Sequence, residues 1–531
     1  MTEAAGAEAG SSRTLTLARA GLIVTLAFFI SRVLGWVRVA VISTQFGATG
    51  ELDAFFAAFR IPDLLFQLVA AGALGSALIP IVASLTAAGE ESRAWRVVST
   101  VTNLMLVVLF VLAVLVAVAA PVLVPTYTPG FDVIQTARTV ELTRIMLLSP
   151  ILLALGSVAT SVLNARGRFA ASAVAPIVYN VSIIAGAVVL APTMGVEGLA
   201  LGVVIGSFGH LTIQLWPLLR TGFQYEPTID LGDPQGRQAL ALLAPRAVGL
   251  GVSQITFLVA TTLASGLGAG AITAFTIAFT LLQIPIGVIG VPLGVVMFPT
   301  LARDFAIGAA AEYLALLTRS LRLLLYVMLP IAGLAIVLRR QVVTVLFDYG
   351  RFDDRAIDLT ANTFLFFLLG LAAHSTIAVL ARAFYARQDT RTPVLAAILA
   401  VVVNTTLAVI LAMPLGLSGI ALAIAIGAWS EAVVLLVLLR RRLPSLPVGG
   451  IVRVLLEAGL ATFIAAALAL GTVYLVDGLI GVDPGKLALL AQMVLAGAVF
   501  GVTYLVLSLA LRIPELPAII RVMSDVLRRR S

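Results

Sequence analysis

Five ionisable residues fall inside one long apolar stretch, Ser31 to Pro80: Arg32, Arg38, Asp53, Arg60 and Asp63. An ionised group at membrane depth is costly unless it faces a wet cavity or a partner, so each is a candidate binding group. Three of the five are arginines. A guanidinium stays charged, is planar, and donates paired hydrogen bonds to phosphate or carboxylate. The chemistry these residues suit is recognition of an anion in a cavity, not the making of bonds. Asp53 and Arg60 lie two helical turns apart on one face, and Asp63 follows one turn beyond Arg60. Arg32 sits roughly 22 Å along its helix, too deep to snorkel easily to the inner surface, which favours a cavity role. Arg38 is nearer the outer end, where an interfacial anchor or a pair with Asp53 is the alternative reading. Arg60 and Asp63 are also spaced to pair with each other at i,i+3. Arg246 follows Pro245 near the start of a later span, as inner-side structure or as an anion contact. Arg166 and Arg382 mark the inner mouth with Arg387 and Arg391, for which topology alone is a sufficient explanation.

The elements that position these groups are membrane helices. Of 531 residues, 61% are hydrophobic and 11% are charged, where a soluble domain carries about 25% charged residues. A hydrocarbon core of about 30 Å needs about 20 apolar residues per helix, which predicts an all-α polytopic membrane protein with about fourteen spans. Pro62 removes a backbone donor and is expected to kink the second helix beside its charges. The loops support the count. Arg93, Arg96, Arg166, Arg168, Arg220, Arg237, Arg303, Arg387, Arg391, Arg440, Arg441 and Arg442 fall on one side, and Glu51, Asp132, Asp477 and Asp483 on the other. That asymmetry places both termini in the cytoplasm. It also accounts for the net charge of +8 without nucleic acid. The segment 339–358 balances its charges and is expected to cap the outer mouth. Arg138, Glu141 and Arg144, at i, i+3 and i+6, are expected to neutralise one another along one helix face.

The chain contains an internal repeat. LGSALIPIVA at 74–83 matches LGVVMFPTLA at 293–302 at an offset of 219, and GVEGLALGVVIG at 195–206 matches GLSGIALAIAIG at 416–427 at an offset of 221. Ala165-Arg166 falls on Ala386-Arg387 at that same offset. Six spans lie between equivalent points, so the two copies run parallel; transporters of this kind place their substrate site at the repeat interface near the midplane. The predicted organisation is a disordered cytoplasmic segment 1–14, six-helix repeats at 15–225 and 236–442, two extra helices at 450–512, and a basic cytoplasmic tail at 513–531.

SRVLG followed by Arg38, then FGA at 46–48, DAFFAAF at 53–59 and IPDLL at 61–65, resembles the MurJ (MviN) lipid II flippases, within the multidrug/oligosaccharidyl-lipid/polysaccharide exporter superfamily. FDYGR at 347–351 and LARAFYARQDTRTP at 380–393 resemble the same family. The resemblance spans roughly 17–439. It implies that Arg32 and Arg38 face a central cationic cavity, that Asp53 holds a position of functional weight, and that a polyprenyl tail lies along a groove made with the last two helices. The cargo it implies is lipid II, flipped to the outer leaflet of the bacterial cytoplasmic membrane by alternating access for cell-wall synthesis. Where relatives commonly carry arginines this chain has Phe66 and Thr280, and where they often carry acids it has Ala71, Ala260 and Ala408. The last two positions belong to a sodium site in some relatives. Hard cations want charged oxygen ligands, so sodium coupling is not expected here.

No enzyme motif is present: there is no phosphate-binding GxxxxGK[ST] loop and no HExxH, so no cofactor or metal is expected. The chain has no cysteine and two histidines, His210 and His374, which read as packed side chains. Two other readings share the scaffold. A flippase for another lipid-linked oligosaccharide differs only in its sugar contacts. A cationic-drug antiporter would need uncompensated membrane carboxylates, whereas the deep charges here lean to arginine. A non-transporting scaffold would seal Arg32 inside protein. A monomer is expected.

Overall fold

A computed structural model describes residues 26–27, 29–69, 73–480, 485–517, 521 and 524, with side chains for all of these except 73, 76, 242–250, 252, 253 and 480. The segment 1–14, Ala71, Asp483, the tail arginines Arg528, Arg529 and Arg530, and the side chain of Arg246 lie outside the described set. Every regular element within it is helical. Nine described helices are long and apolar enough to cross a membrane, and a bent pair, Asp354–Leu368 with Leu371–Ala386, makes ten. The two spans expected at 392–413 and 416–439 are two helices within Arg391–Arg442 that meet at the non-helical Gly416. The chain forms two compact units, Met1–Ile272 and Thr273–Ser531.

In the first unit, α1 (29–46) leads through a tight turn to α2 (Gly50–Val69), followed by α3 (Ala73–Ala87), α4 (Glu91–Tyr127), α5 (Val133–Met146) and α6 (Leu148–Ala165). Next come α7 (Phe169–Ala185), a π-helical turn, α8 (Ala191–Met194), α9 (Val196–Leu219) and α10 (Pro234–Ser265). Pro62 is buried inside α2, between Arg60 and Asp63. A capping box starts α5: the Asp132 carboxylate accepts from Gln135 N at 2.7 Å, and the Gln135 side chain accepts from Asp132 N at 3.4 Å. These bonds satisfy donors that a helix start otherwise leaves open. With 37 residues, α4 is roughly 55 Å long, well beyond the hydrocarbon thickness. Its N-terminal part carries a polar stripe at Arg93, Arg96, Ser99, Thr100 and Asn103.

The segment 221–233 is strapped along that stripe. Glu226 N donates to Ser99 Oγ at 3.0 Å and Asp230 N to Thr100 Oγ1 at 3.1 Å. Asn103 Nδ2 donates to the carbonyls of Glu226 and Thr228 at 3.0 and 2.8 Å. Arg96 pairs with Glu226 at 3.3 Å and Arg93 with Asp233 at 2.6 Å. Asp233 also caps α10 through Gln235 N and Gly236 N. The Arg93 hydrogen bond, with those two N–H donors, holds the Asp233 carboxyl below its usual range. Consequently α10, which opens the second sequence copy, packs on α2, α3 and α4.

In the second unit, α11 (Ala271–Pro285) and a π-helical turn lead to α12 (Val291–Ala306), α13 (Ala310–Val337), α14 (Arg339–Phe347), α15 (Asp354–Leu368) and α16 (Leu371–Ala386). The kinked α17 (Arg391–Arg442) follows, then α18 (Val448–Ile480) and α19 (Lys486–Ala510). The sequence repeat recurs as matched local conformation. Gly89 and Gly308, 219 apart, both take positive φ (77° and 74°). The residues after them donate back to Leu85 O and Asp304 O at 2.9 and 2.8 Å. Gly195 (φ 62°, ψ −143°) and Gly416 (φ 58°, ψ −136°), 221 apart, turn the chain the same way. Three residues later the backbones meet: a Cβ at Gly198 would lie 2.7 Å from the Leu190 carbonyl carbon, and one at Gly419 would overlap the Leu411 carbonyl oxygen. Small residues permit that approach, since apolar side chains gain little by associating in lipid and close backbone packing supplies the attraction.

The extra helices α18 and α19 are fastened to α13. Ala458, Ala461, Ala465 and Ala469 are fully buried along one stripe of α18. Arg322 pairs with Glu515 at 2.6 Å, Tyr326 donates to Ser508 Oγ at 3.1 Å, and Tyr504 donates to Tyr326 O at 2.7 Å. At the far end Lys486 donates to Asp348 O at 2.7 Å and lies over the Tyr349 ring. The 339–358 segment is thereby tied to α19, with Arg340 bridging Asp354 and Asp358.

Candidate functional site

The candidate charges of the first unit lie on α1 and α2, and uncharged polar or aromatic groups of α4, α7 and α10 stand around them. Arg32 is exposed on α1 and Arg38 is half-buried six residues further along the same helix. Asn180 of α7 donates to Ser31 O at 3.4 Å, fixing α1 beside α7. On α2, Asp63 lies within electrostatic reach of both Arg60 and Arg38 and hydrogen-bonds Gln67 one turn on. Tyr179 of α7 lies near Arg38 and Asp63, and Tyr127 of α4 near Arg60. The Tyr127 hydroxyl donates to Ala57 O at 3.2 Å, within α2. From α10, Thr261 Oγ1 accepts from Arg60 Nε at 3.1 Å, and the Phe257 ring centroid lies 5.4 Å from the Arg60 guanidinium carbon. Asp63 thus lies within electrostatic reach of two cations, Arg38 and Arg60, with hydroxyls and an amide nearby. An excess of fixed positive charge in a poorly solvated region favours an incoming polyanion.

Asp53, two turns before Arg60 on α2, is 1% exposed. Its Oδ2 accepts from Gly270 N at 2.7 Å, beyond the C-terminal end of α10. The expected Arg138–Glu141–Arg144 face does not neutralise itself. Arg138 reaches off its helix to Glu51 and to Glu197, the latter at 3.3 Å, and Arg144 donates to Ala117 O at 2.9 Å. The first turns of α2 and α9 present the two carboxylates that Arg138 reaches.

Arg166, at the C-terminal end of α6, pairs with Glu91 at 2.8 Å and stacks 4.9 Å over Trp95, which meets Phe223 of the strap edge-on. In the second unit Arg382 is half-buried on α16; its Nη1 donates to Ala378 O at 2.7 Å beside Gly294. The repeat partner of Arg166, Arg387, stacks on Phe305 at 5.3 Å. Ala260 and Ala408 are 2% and 3% exposed, and Asn404 is buried near the second of them on α17. Two alanines offer no ligating oxygen side chains at these positions. His210 packs against Gly156, and Gln214 donates to its carbonyl at 3.0 Å.

Sequence reading missed Gln67, Tyr127, Tyr179, Phe257 and Thr261. Arg60 and Thr261 are 201 residues apart, and no periodicity relates them. The one local signal was Gln67, one turn from Asp63 on the charged helix.

A helical chain with nine or ten candidate membrane spans among its described residues, built on a sequence repeat, has the architecture of a multi-pass membrane transporter. The chain belongs to the lipid II flippase MurJ family, whose profile matches residues 42–490. It is 32% identical over 437 residues to the lipid II flippase MurJ of Burkholderia cenocepacia, covering 81% of this chain and 84% of that one. It is 30% identical over 424 residues to the probable lipid II flippase MurJ of Vibrio cholerae, covering 78% and 81%. Among solved structures, an inward closed lipid II flippase MurJ shares the fold with a TM-score of 0.77, covering 92% of this chain and 99% of that one at 22% identity. An inward-facing multidrug resistance transporter of the MATE family matches with a TM-score of 0.65 at 16% identity, over 80% of this chain and 98% of that one.

Proposed function

We propose that this protein moves lipid II, an undecaprenyl-pyrophosphate-linked peptidoglycan precursor, from the inner to the outer leaflet of the cytoplasmic membrane by alternating access. It does so as a monomer with both termini in the cytoplasm, and it does no covalent chemistry. The observation that carries this reading is Asp63 within electrostatic reach of both Arg38 and Arg60 in a chain of this family. A pyrophosphate brings two or more negative charges, and arginine forks match its oxygens. Arg32 on α1, exposed rather than sealed, supplies further positive charge and weighs against a scaffold role. Arg246 on α10 completes the proposed binding set with Asp53. Asp63, Arg166 and Arg382 serve at the mouth or gate, where Asp63 holds the two cations until the cargo arrives.

The test is complementation in a bacterium depleted of its own lipid II flippase. The parent chain is expected to restore growth, and Arg32→Ala and Arg38→Ala, inserted at equal levels, to fail. Rescue by both variants would remove the cationic cavity from the mechanism. A second reading, transport of another polyprenyl-linked oligosaccharide, shares every pyrophosphate contact. It predicts a well-inserted parent that fails to rescue yet binds other lipid-linked sugars.

A further inference from the structure

The function proposed above uses Arg60 as an anion ligand, and the following inference rests on that reading. Arg60 is held from α10 on two sides. Its Nε donates to Thr261 Oγ1 at 3.1 Å, and its guanidinium faces the Phe257 ring at 5.4 Å. Phe257 and Thr261 are four residues apart, so they stand one above the other on a single face of α10. Thr261 is 1% exposed. A hydroxyl placed at Nε fixes the plane of the guanidinium, and a ring against its face fixes the tilt. α10 is itself tied down at both ends. Asp233 binds Arg93 at 2.6 Å at the N-terminal end. Near the C-terminal end Gly130 N donates to Ser265 Oγ at 3.3 Å, and Gly270 N to Asp53 at 2.7 Å.

We infer that Thr261 and Phe257 are positioning residues for Arg60, setting the direction in which its guanidinium meets the pyrophosphate. Neither residue need touch the cargo. Their effect passes through Arg60, whose long side chain otherwise samples many rotamers, and preorganisation of this kind tightens binding by removing that freedom.

The experiment uses full-length protein in liposomes carrying lipid II, with Thr261→Val, Thr261→Ser and Phe257→Leu. Valine keeps the shape of threonine and loses the acceptor. Thr261→Val is expected to raise the half-saturating lipid II concentration about tenfold, the scale of one hydrogen bond to a charged group, with the maximal rate largely kept. Thr261→Ser is expected to stay near the parent, and Phe257→Leu to fall between them. Equal melting temperatures separate the effect from misfolding. A second readout needs no cargo: arginine-selective modification of Arg60 by phenylglyoxal, followed by mass spectrometry. Reactivity should change several-fold in Thr261→Val and not in Thr261→Ser. A parent that does not transport lipid II would defeat the functional reading alone, and the modification rates would still decide the positioning. Identical Arg60 reactivity in parent, Thr261→Val and Thr261→Ser would overturn the inference, as would a serine variant that behaves like valine.

Discussion

Asp53 is the residue whose removal the structure prices most directly. It is 1% exposed in the first turn of α2 and accepts the Gly270 N–H at 2.7 Å, alongside further interactions. Gly270 is left-handed (φ 87°), and a Cβ there would overlap the Ala48 carbonyl oxygen, so this backbone has little room to find another acceptor. Asp53→Ala leaves a buried donor unmet, at a cost of about 1–3 kcal/mol. Asp53→Asn retains an acceptor and loses the charge. A hydrogen bond to a charged group contributes about 1.5–3 kcal/mol and a neutral one about 0.5–1.5, so the asparagine variant should lose about 1 kcal/mol. The carboxylate also sits where the N-terminal helix dipole favours it, which adds to the loss in both variants. At about 2–4 °C per kcal/mol for a body of this size, Asp53→Ala should melt several degrees below the parent and Asp53→Asn about half as far. Thermal unfolding in detergent, followed by tryptophan fluorescence, reads this directly. An alanine variant that melts within a degree of the parent would refute the anchoring argument, and so would an asparagine variant as unstable as alanine.

Two further outcomes are expected. Gly419→Ala should destabilise by about 1–3 kcal/mol, because the added methyl meets backbone that cannot yield, whereas Gly471→Ala, with nothing within 4 Å of the new Cβ, should be neutral or stabilising; equal melting temperatures for the pair would contradict the close-packed hairpin. In the 387–390 turn, burial raises the Asp389 carboxyl, but hydrogen bonds from the Thr392 hydroxyl and N–H and from Arg442 outweigh it and hold it at about 2, below its ordinary 3.8. A depressed acid contributes stability that is complete above its unfolded value and is lost as pH falls from about 4 towards 2. Melting temperature measured over that window should fall less steeply in Asp389→Asn than in the parent, and parallel curves would show that the Asp389–Arg442 clasp contributes nothing.

Much was legible in the sequence because its signals are local or periodic. Apolar runs of about 20 residues report helices that must satisfy their own backbone in lipid. The repeat was visible at offsets of 219 and 221 because the same turns need the same small residues. Gly195 and Gly416 adopt nearly one conformation, and Gly198 and Gly419 admit the same backbone approach. The deep arginines stood out because charge in an apolar run is expensive. What each charge meets was not legible. Arg138 was spaced to pair on its own helix, yet it reaches Glu51 and Glu197.

By itself, then, the amino-acid order determined which segments are helices, which residues are charged inside them, and which stretches repeat. It did so because helix formation and the cost of burying charge depend on a residue and its near neighbours. Only the tertiary structure decided that α10 joins α2, α3 and α4, that Asp233 both caps α10 and binds Arg93, and that Thr261 and Phe257 meet Arg60. Those contacts depend on helix rotation and depth. Both are set by side-chain packing summed over several neighbours, and no local pattern in one segment encodes that sum.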